Sequence, residues 1–315
     1  MTTSAAPVGG VPAVPPAPVD AAFPVTAAPA GDHAASHRRH SRRRTLATAG
    51  FHTGATLVSL LWFAPILLVL VTSFRTFDDV AGNGIASVPR TFTFATYAQA
   101  WSQGGMFRAL MNSLVVTVPT VVLSLALAAI AAFGLSRYRI PFRRTALLLM
   151  LAGNLLPVQM LLIPVTRVTQ QLGVYDTLLA LVVVQTAFGL GFYVFVLYGF
   201  MRTVPRELQE AATLDGAGPV RIFLRVILPL TRPALAALGA LAFTWVFNDL
   251  LWSITLLQTS AKLPITAAVL SLQGQYVSSW SVIAAATIIA AIPPTIVFLL
   301  FQRSFIGGLA LGAVK

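Results

Sequence analysis

PRELQEAATLDGAGPVRIFLRVILPL, residues 205–230, sets Arg206, Glu207, Glu210, Asp215, Arg221 and Arg225 between two strongly apolar stretches. The rest of the chain nearly avoids charge. Charged residues make up 10% of its 315 positions, against about 25% in an ordinary soluble domain. Read locally, the segment forms two short helices joined by a turn. Pro205 suits a first helical turn, where its missing N–H costs nothing. Glu207 and Glu210 favour the positive end of that helix. Asp215-Gly216 then breaks the helix, glycine supplying the positive φ of a C-terminal cap, and Gly218-Pro219 restarts it. Ile222, Phe223, Val226 and Ile227 recur on one side, while Arg221 and Arg225 share another. Ala211 and Ala212 leave room for another backbone to come close. A connector this long, residues 202–231, is unusual without a task of its own, so a docking surface for a partner fits best.

The composition sets the surroundings. Hydrophobic residues reach 57% and the mean hydropathy is +0.82, above the roughly 45–50% apolar content of soluble domains. The excess lies in runs of about 20 residues, the length of a membrane span, and the helices lack the polar face a soluble core needs. Six segments qualify, at roughly 55–74, 107–135, 145–165, 177–200, 233–257 and 281–301. Pro65, Pro119 and Pro157 fall inside them, tolerated where neighbouring helices satisfy the freed carbonyls. The expectation is an all-α, polytopic membrane protein with six transmembrane helices.

Residues 1–45 are Ala/Pro/Val-rich and have no helical or strand period, so a disordered, polyproline-biased tail is expected there. The membrane domain then covers 46–315. The tail ends in HRRHSRRR, residues 37–44, whose arginines fix orientation or meet anionic headgroups. Of the 21 lysines and arginines, sixteen fall on the side that carries the tail, residues 137–144, the 202–231 loop with Arg232 directly after it, and the C-terminus. The others are Arg75, Arg90, Arg108, Arg167 and Lys262. The positive-inside rule places both termini and the charged loop in the cytoplasm. The net charge of +12 is explained by that sorting, and no nucleic-acid partner is expected.

Several chemistries are excluded. Cysteine is absent, and His33, His37, His40 and His52 all precede the first span or sit at its edge. No metal site and no histidine-based catalysis is therefore expected in the membrane body. Lys262 and Lys315 are the two lysines, and neither follows a Gly-rich phosphate loop. No cofactor is expected on this chain.

Glu210-Ala211-Ala212, three residues, Gly216, then a gap to apolar Leu228-Pro229 resembles the signature loop of bacterial ABC-importer permeases. LGVYDTLLALVV (172–183) and PLTRPALAALGALAFTWVFNDLLWSI (229–254) are similar to the spans on either side of that loop in carbohydrate-importer permeases. QRSFIGGLALGAVK (302–315) looks like the C-terminus of the second permease of maltose-type systems. The likeness covers about 107–315. It departs at Phe247, where the family usually has Trp before Asn248, and at Gln209, where Glu is common.

The resemblance implies a type I ABC-importer permease architecture in the bacterial inner membrane. It implies a sister permease and two copies of a cytoplasmic ATPase that carry ATP and magnesium. An extracytoplasmic sugar-binding protein would deliver the cargo. Glu207, Glu210, Ala211, Ala212, Asp215, Gly216 and Pro229 would form the ATPase-coupling loop. The chain itself would not be an enzyme.

Polar residues in the spans are the candidates for the pathway. Asp249 is the one carboxylate well inside an expected span. With Asn248 it lines the path, or it makes a structural hydrogen bond to a neighbouring helix. Asn154, Gln159 and Gln185 admit the same two readings. Trp245, Tyr193 and Phe192 are aromatics that could stack on a sugar ring. FGLGFYVF (188–195), with Gly189 and Gly191, suggests close helix packing. A phosphorylated polyol is an alternative cargo, but it would want buried cations that the spans lack. An ion-driven transporter would want more intramembrane carboxylates than Asp249, and an intramembrane enzyme would want paired catalytic groups.

Overall fold

The computed structural model describes residues 32–102, 105–275 and 279–313, and every regular element among them is helical. The stretch before residue 32, most of the expected tail, lies outside the described residues. The chain forms two compact units, residues 1–63 and 64–315. Helix α1 runs Asp32–Ser73, so it begins ahead of the boundary expected near 45. No proline stands between Pro29 and Pro65, and the Ala- and Arg-rich sequence between them favours helix. In the first unit Leu61 and Trp62 are 74% and 76% exposed, as residues facing lipid would be.

The second unit continues with α2 (Phe77–Asn83), α3 (Ala95–Ser102) and α4 (Met106–Arg137). Next come α5 (Arg143–Gly153), α6 (Val158–Gln171), α7 (Leu178–Met201) and α8 (Glu207–Leu214). Then follow α9 (Pro219–Ile222), a π-turn over Phe223–Ile227, α10 (Leu228–Phe247) and α11 (Leu251–Leu256). A 3₁₀ turn at Ser260–Lys262, α12 (Ile265–Gln275) and α13 (Trp280–Ala313) complete the order.

Among the described residues five helices are long and apolar enough to cross a membrane: Gly50–Ser73, Met106–Arg137, Leu178–Met201, Pro219–Phe247 and Trp280–Gln302. The third expected segment forms two helices instead of one. α5 and α6 meet at 96°, where a continuous helix over 145–165 was expected. Pro157 has no N–H to continue the ladder and drives Leu156 away from helical angles, and the chain turns between Asn154 and Pro157.

The fifth span is also displaced from the expected 233–257. Its helix starts at Pro219 and ends at Phe247, so the second short helix of the charged segment is the beginning of the span itself. The π-turn explains how. Pro229 would clash with the carbonyl of Arg225 in a regular α-helix. The widened turn, closed by the Leu228 N–H on the Phe223 carbonyl, moves that carbonyl aside.

Small residues let the spans approach closely. Ala128, Ala129 and Ala132 of α4 meet Val194, Leu197 and Met201 of α7 and Ala234, Leu238 and Ala242 of α10. A second cluster joins α3, α4, α12 and α13 around Phe247, and a third packs α11 on α7. The two ends of α4 define two faces of the unit. At one, Arg137 Nη2 donates to the carbonyls of Met201 at 2.6 Å and Val204 at 3.0 Å. At the other, Asn112 Nδ2 donates to the carbonyls of Ala261 at 3.0 Å and Leu263 at 3.2 Å.

Candidate functional site

The charged loop is held by its termini rather than by burial. No residue of α8 is buried. Its C-terminus closes as a full Schellman motif: the Gly216 N–H donates to Thr213 O at 3.0 Å and the Ala217 N–H to Ala212 O at 2.9 Å. Gly216 takes φ +78, as its cap position requires. Ala212 and Ala217, the pair that such a motif brings together, pack against the first apolar cluster. Ala211 points the other way and is exposed, with Glu207, Glu210 and Asp215. Leu214 and Val220 add apolar surface, 89% and 70% exposed. Pro219 takes the first helical position, as expected, whereas Pro205 lies just ahead of the Arg206 N-cap. An exposed acidic and apolar knob is thus fixed by short covalent and hydrogen-bonded links to a membrane helix.

At the far end of α10 stand Asn248 and Asp249, and the structure brings Gln185 to Asp249. The helix ends at Asn248, which caps it and donates from Nδ2 to Thr244 O at 2.9 Å. Asp249 follows, in the break before α11. Its Oδ2 accepts from Gln185 Nε2 at 3.2 Å and from the Ser253 N–H at 3.2 Å. Its carbonyl accepts from Thr266 Oγ1 at 2.8 Å. The Gln185 Oε1 is buried with no partner. Asn154 lies apart, at the bend of the third span, bonded to its own Met150 carbonyl at 2.9 Å. Gln159 is exposed on α6 and does not join the cluster.

The aromatic candidates separate. Trp245 is half exposed and meets Phe192 at 5.3 Å between ring centroids. Tyr193 is 2% exposed and packs over Gly189, so it is unavailable to a ligand. A Cβ on Gly189 would lie 2.6 Å from the Tyr193 ring, and one on Gly191 2.5 Å from the Met150 carbonyl. Gly191 therefore serves the close helix packing that was expected, whereas Gly189 makes room for Tyr193 of its own helix.

Two knots at the end remote from the charged loop are not legible from residue types. Arg75 is fully buried. Its Nε donates to Asp79 Oδ2 at 2.9 Å, Nη2 to Ser87 Oγ at 2.7 Å, and Nη1 to the carbonyls of Gly84 and Ile85 at 3.1 and 3.0 Å. The Arg75 bond, with the Arg90 N–H and Asn83, holds the Asp79 carboxyl down at about 2 despite desolvation. Asp176 adopts φ +55. Its carboxylate accepts from the Thr259 hydroxyl at 2.6 Å, the N–H groups of Thr259 and Gln258, and Lys262 Nζ at 3.0 Å. These donors, the Thr259 hydroxyl first, hold it well below the usual carboxylate range. The signal for the first knot was the Arg75–Asp79 spacing of one helical turn. For the second it was the 172–183 stretch itself.

Comparison with known proteins agrees with this architecture. Residues 124–309 match the family described as binding-protein-dependent transport system inner membrane component. The osmoprotective compounds uptake permease protein GgtD of Synechocystis is 32% identical over 271 residues, covering 84% of this chain and 91% of that protein. The diacetylchitobiose uptake system permease protein NgcG of Streptomyces coelicolor is 31% identical, covering 84% and 88%. The alpha-glucoside transport system permease protein AglG of Rhizobium meliloti is 35% identical, covering 73% and 62%. The fold is that of a chain in a crystallised bacterial ABC transporter involved in import of the acidic polysaccharide alginate, with a TM-score of 0.71 at 22% identity over 84% of this chain and 97% of that one. The chain belongs to the binding-protein-dependent transport system inner membrane components, the permease subunits of ABC importers.

Proposed function

We propose that this chain forms half of the translocation pathway of an ABC importer for a carbohydrate, an oligosaccharide or a related polyol. A sister permease supplies the other half. Two copies of a cytoplasmic ATPase, which hold the ATP and magnesium, dock on the paired loops, and an extracytoplasmic binding protein delivers the cargo. The chain lies in the bacterial inner membrane with both termini in the cytoplasm, as the sorting of arginines favours. Relatives named for diacetylchitobiose and alpha-glucoside uptake support the cargo class.

The observation that carries the coupling reading is continuity. The exposed α8 is locked by its Schellman motif to α9, which runs through the π-turn into α10 and ends at Asn248. When the ATPases close on ATP, they would draw the two loops together. The fifth spans would tilt with them and turn the cavity from one face to the other. Glu207, Glu210, Ala211 and Asp215 meet the ATPase, Ala212, Gly216 and Pro229 hold the loop's shape, and Asn248, Asp249 and Gln185 lie along the path.

The test is sugar-stimulated ATP hydrolysis by the complete complex in liposomes, with native protein and Gly216→Pro side by side. Proline's φ near −65° is incompatible with φ +78 at this position. The expected result is assembly retained with at least tenfold loss of sugar-stimulated hydrolysis. Unchanged coupling, or uptake that persists without ATP, would refute the proposal, and a sugar panel in the same assay names the cargo.

A further inference from the structure

The α5–α7 seam carries a feature that docking and transport leave unused. Arg143 and Arg202 both place their guanidinium carbons 5.8 Å from the centroid of the Tyr198 ring. Two like charges thus sit within twice that distance of each other. Arg143 is further held by its Nη1 bond to the Leu135 carbonyl at 3.4 Å. Among the described residues neither arginine has an acidic partner, the ion pairs there being Arg75–Asp79 and Lys262–Asp176. Cation–π attraction orients guanidinium groups but neutralises no charge.

The position is that of a membrane interface. Tyr198 lies in the last turn of one span, and Arg143 opens the first half of the broken span. Phe142 beside it is 84% exposed, in a left-handed conformation at φ 56, a placement that is costly for an aromatic residue in water.

The seam leads from this cationic end to an apolar space. Arg143, Met150 and Asn154 fall on one stripe of α5, and Tyr198, Gly191 and Ala187 on one stripe of α7. The helices run antiparallel, with Gly191 against the Met150 carbonyl. At the bend a cavity of about 370 Å³ opens, lined by Leu149, Gly153, Leu156, Leu161, Ala187 and Phe188 among others. From Arg143 to Met150 is about 10 Å of helix, less than half the thickness of a hydrocarbon core. A cationic clamp at headgroup depth above an apolar slot at acyl depth has the chemistry of one ligand class.

We propose that this seam binds one anionic phospholipid, its phosphate held by Arg143 and Arg202 at Tyr198 and one acyl chain lying in the cavity at the Asn154–Pro157 bend. The apolar slot separates this ligand from a soluble phosphate, and the charge separates it from a zwitterionic lipid.

The experiment uses the full-length chain purified in detergent with its co-purifying subunits. Equal amounts of dioleoyl-phosphatidylglycerol and dioleoyl-phosphatidylcholine are supplied, and retained lipid is counted by native mass spectrometry. The expected result is about tenfold preference for the anionic lipid, abolished in Arg143→Gln/Arg202→Gln. Gly153→Leu tests the slot, since a Cβ there meets nothing within 4 Å. It should weaken binding of the dioleoyl lipid and spare dihexanoyl-phosphatidylglycerol. Equal retention of both headgroups by native protein, or an unchanged preference in the double variant, would overturn the proposal. So would displacement of the lipid by millimolar inorganic phosphate, which would make this a phosphate site. If the double variant does not fold, the headgroup preference of native protein decides alone.

Discussion

Gly191→Ala puts the closeness of the α5–α7 seam to a quantitative test. A Cβ at Gly191 would stand 2.5 Å from the Met150 carbonyl oxygen and 2.8 Å from Asn154 Nδ2. Ordinary contact needs about 3.5 Å, so α5 has to retreat by roughly 1 Å. Neither neighbour yields easily. One is main chain, and the other is tied to that same carbonyl by its 2.9 Å hydrogen bond. Overpacking of this kind costs about 1–3 kcal/mol. The gain in helix propensity from glycine to alanine offsets about 0.5–1 kcal/mol of it. The net expectation is destabilisation by about 1–2 kcal/mol.

Gly199→Ala on the same helix is the control, because a Cβ there meets nothing within 4 Å and only the propensity gain remains. Thermal unfolding of both variants in one detergent, followed by tryptophan fluorescence, gives the comparison. For a chain of this size about 2–4 °C accompanies each kcal/mol. Gly191→Ala should fall several degrees below native protein, and Gly199→Ala should match or exceed it. Equal midpoints for the two variants would mean that the seam is not closed by this contact.

Acid should open the Arg75 knot. The folded Asp79 carboxyl is lowered from 3.8 to about 2. Its stabilisation is therefore complete above the unfolded value and is lost as pH falls from about 4 through about 2. Hydrogen-exchange protection of the Gly84 and Ser87 amides should disappear over that window. Asp79→Asn should weaken protection at neutral pH and flatten its acid dependence, and a native-like profile in that variant would count against the ion pair. At the end of α10, Asp249→Leu strips Gln185 of its remaining side-chain partner and should cost about 1–3 kcal/mol. Gln185→Leu should cost less, because it also removes the unpaired Oε1. Thermal unfolding of the two single variants and the double variant checks the coupling, and strict additivity would show that the pair does not interact.

What the sequence reveals is mostly local. Gly216 and Pro219 announce their roles because cap chemistry depends on a residue's own φ and N–H. The apolar runs count the spans because membrane thickness sets a length that composition alone can meet. The break in the third span escapes the same reading. Pro157 inside an apolar run looks like Pro119, which α4 absorbs without interruption, so a proline in such a run does not by itself announce a break.

The early start of the fifth span escapes because Arg221 and Arg225 read as peripheral, although the helix passes through them. Arg75 is hidden for another reason: its acceptors at Gly84 and Ile85 are main-chain carbonyls, which every residue has. Gln185 and Asp249 each stand out in the sequence as polar residues in apolar surroundings. Their contact across 64 positions of sequence is a tertiary fact that no local pattern encodes.

The helix from Pro219 to Phe247 holds 29 residues, a strut about 43 Å long. On the proposed coupling, a helix continuous from the charged loop to the Asn248 cap would act as a lever, with the effort at its loop tip and the load at the other. A tilt of about 10° about its midpoint would move each tip by about 4 Å, more than the length of a hydrogen bond. Gearing of that size needs no unfolding and no new contacts along the shaft. The helix's regular ladder is interrupted at the five-residue π-turn near its foot and again at Pro233, so the stiffness of the stroke would be set there.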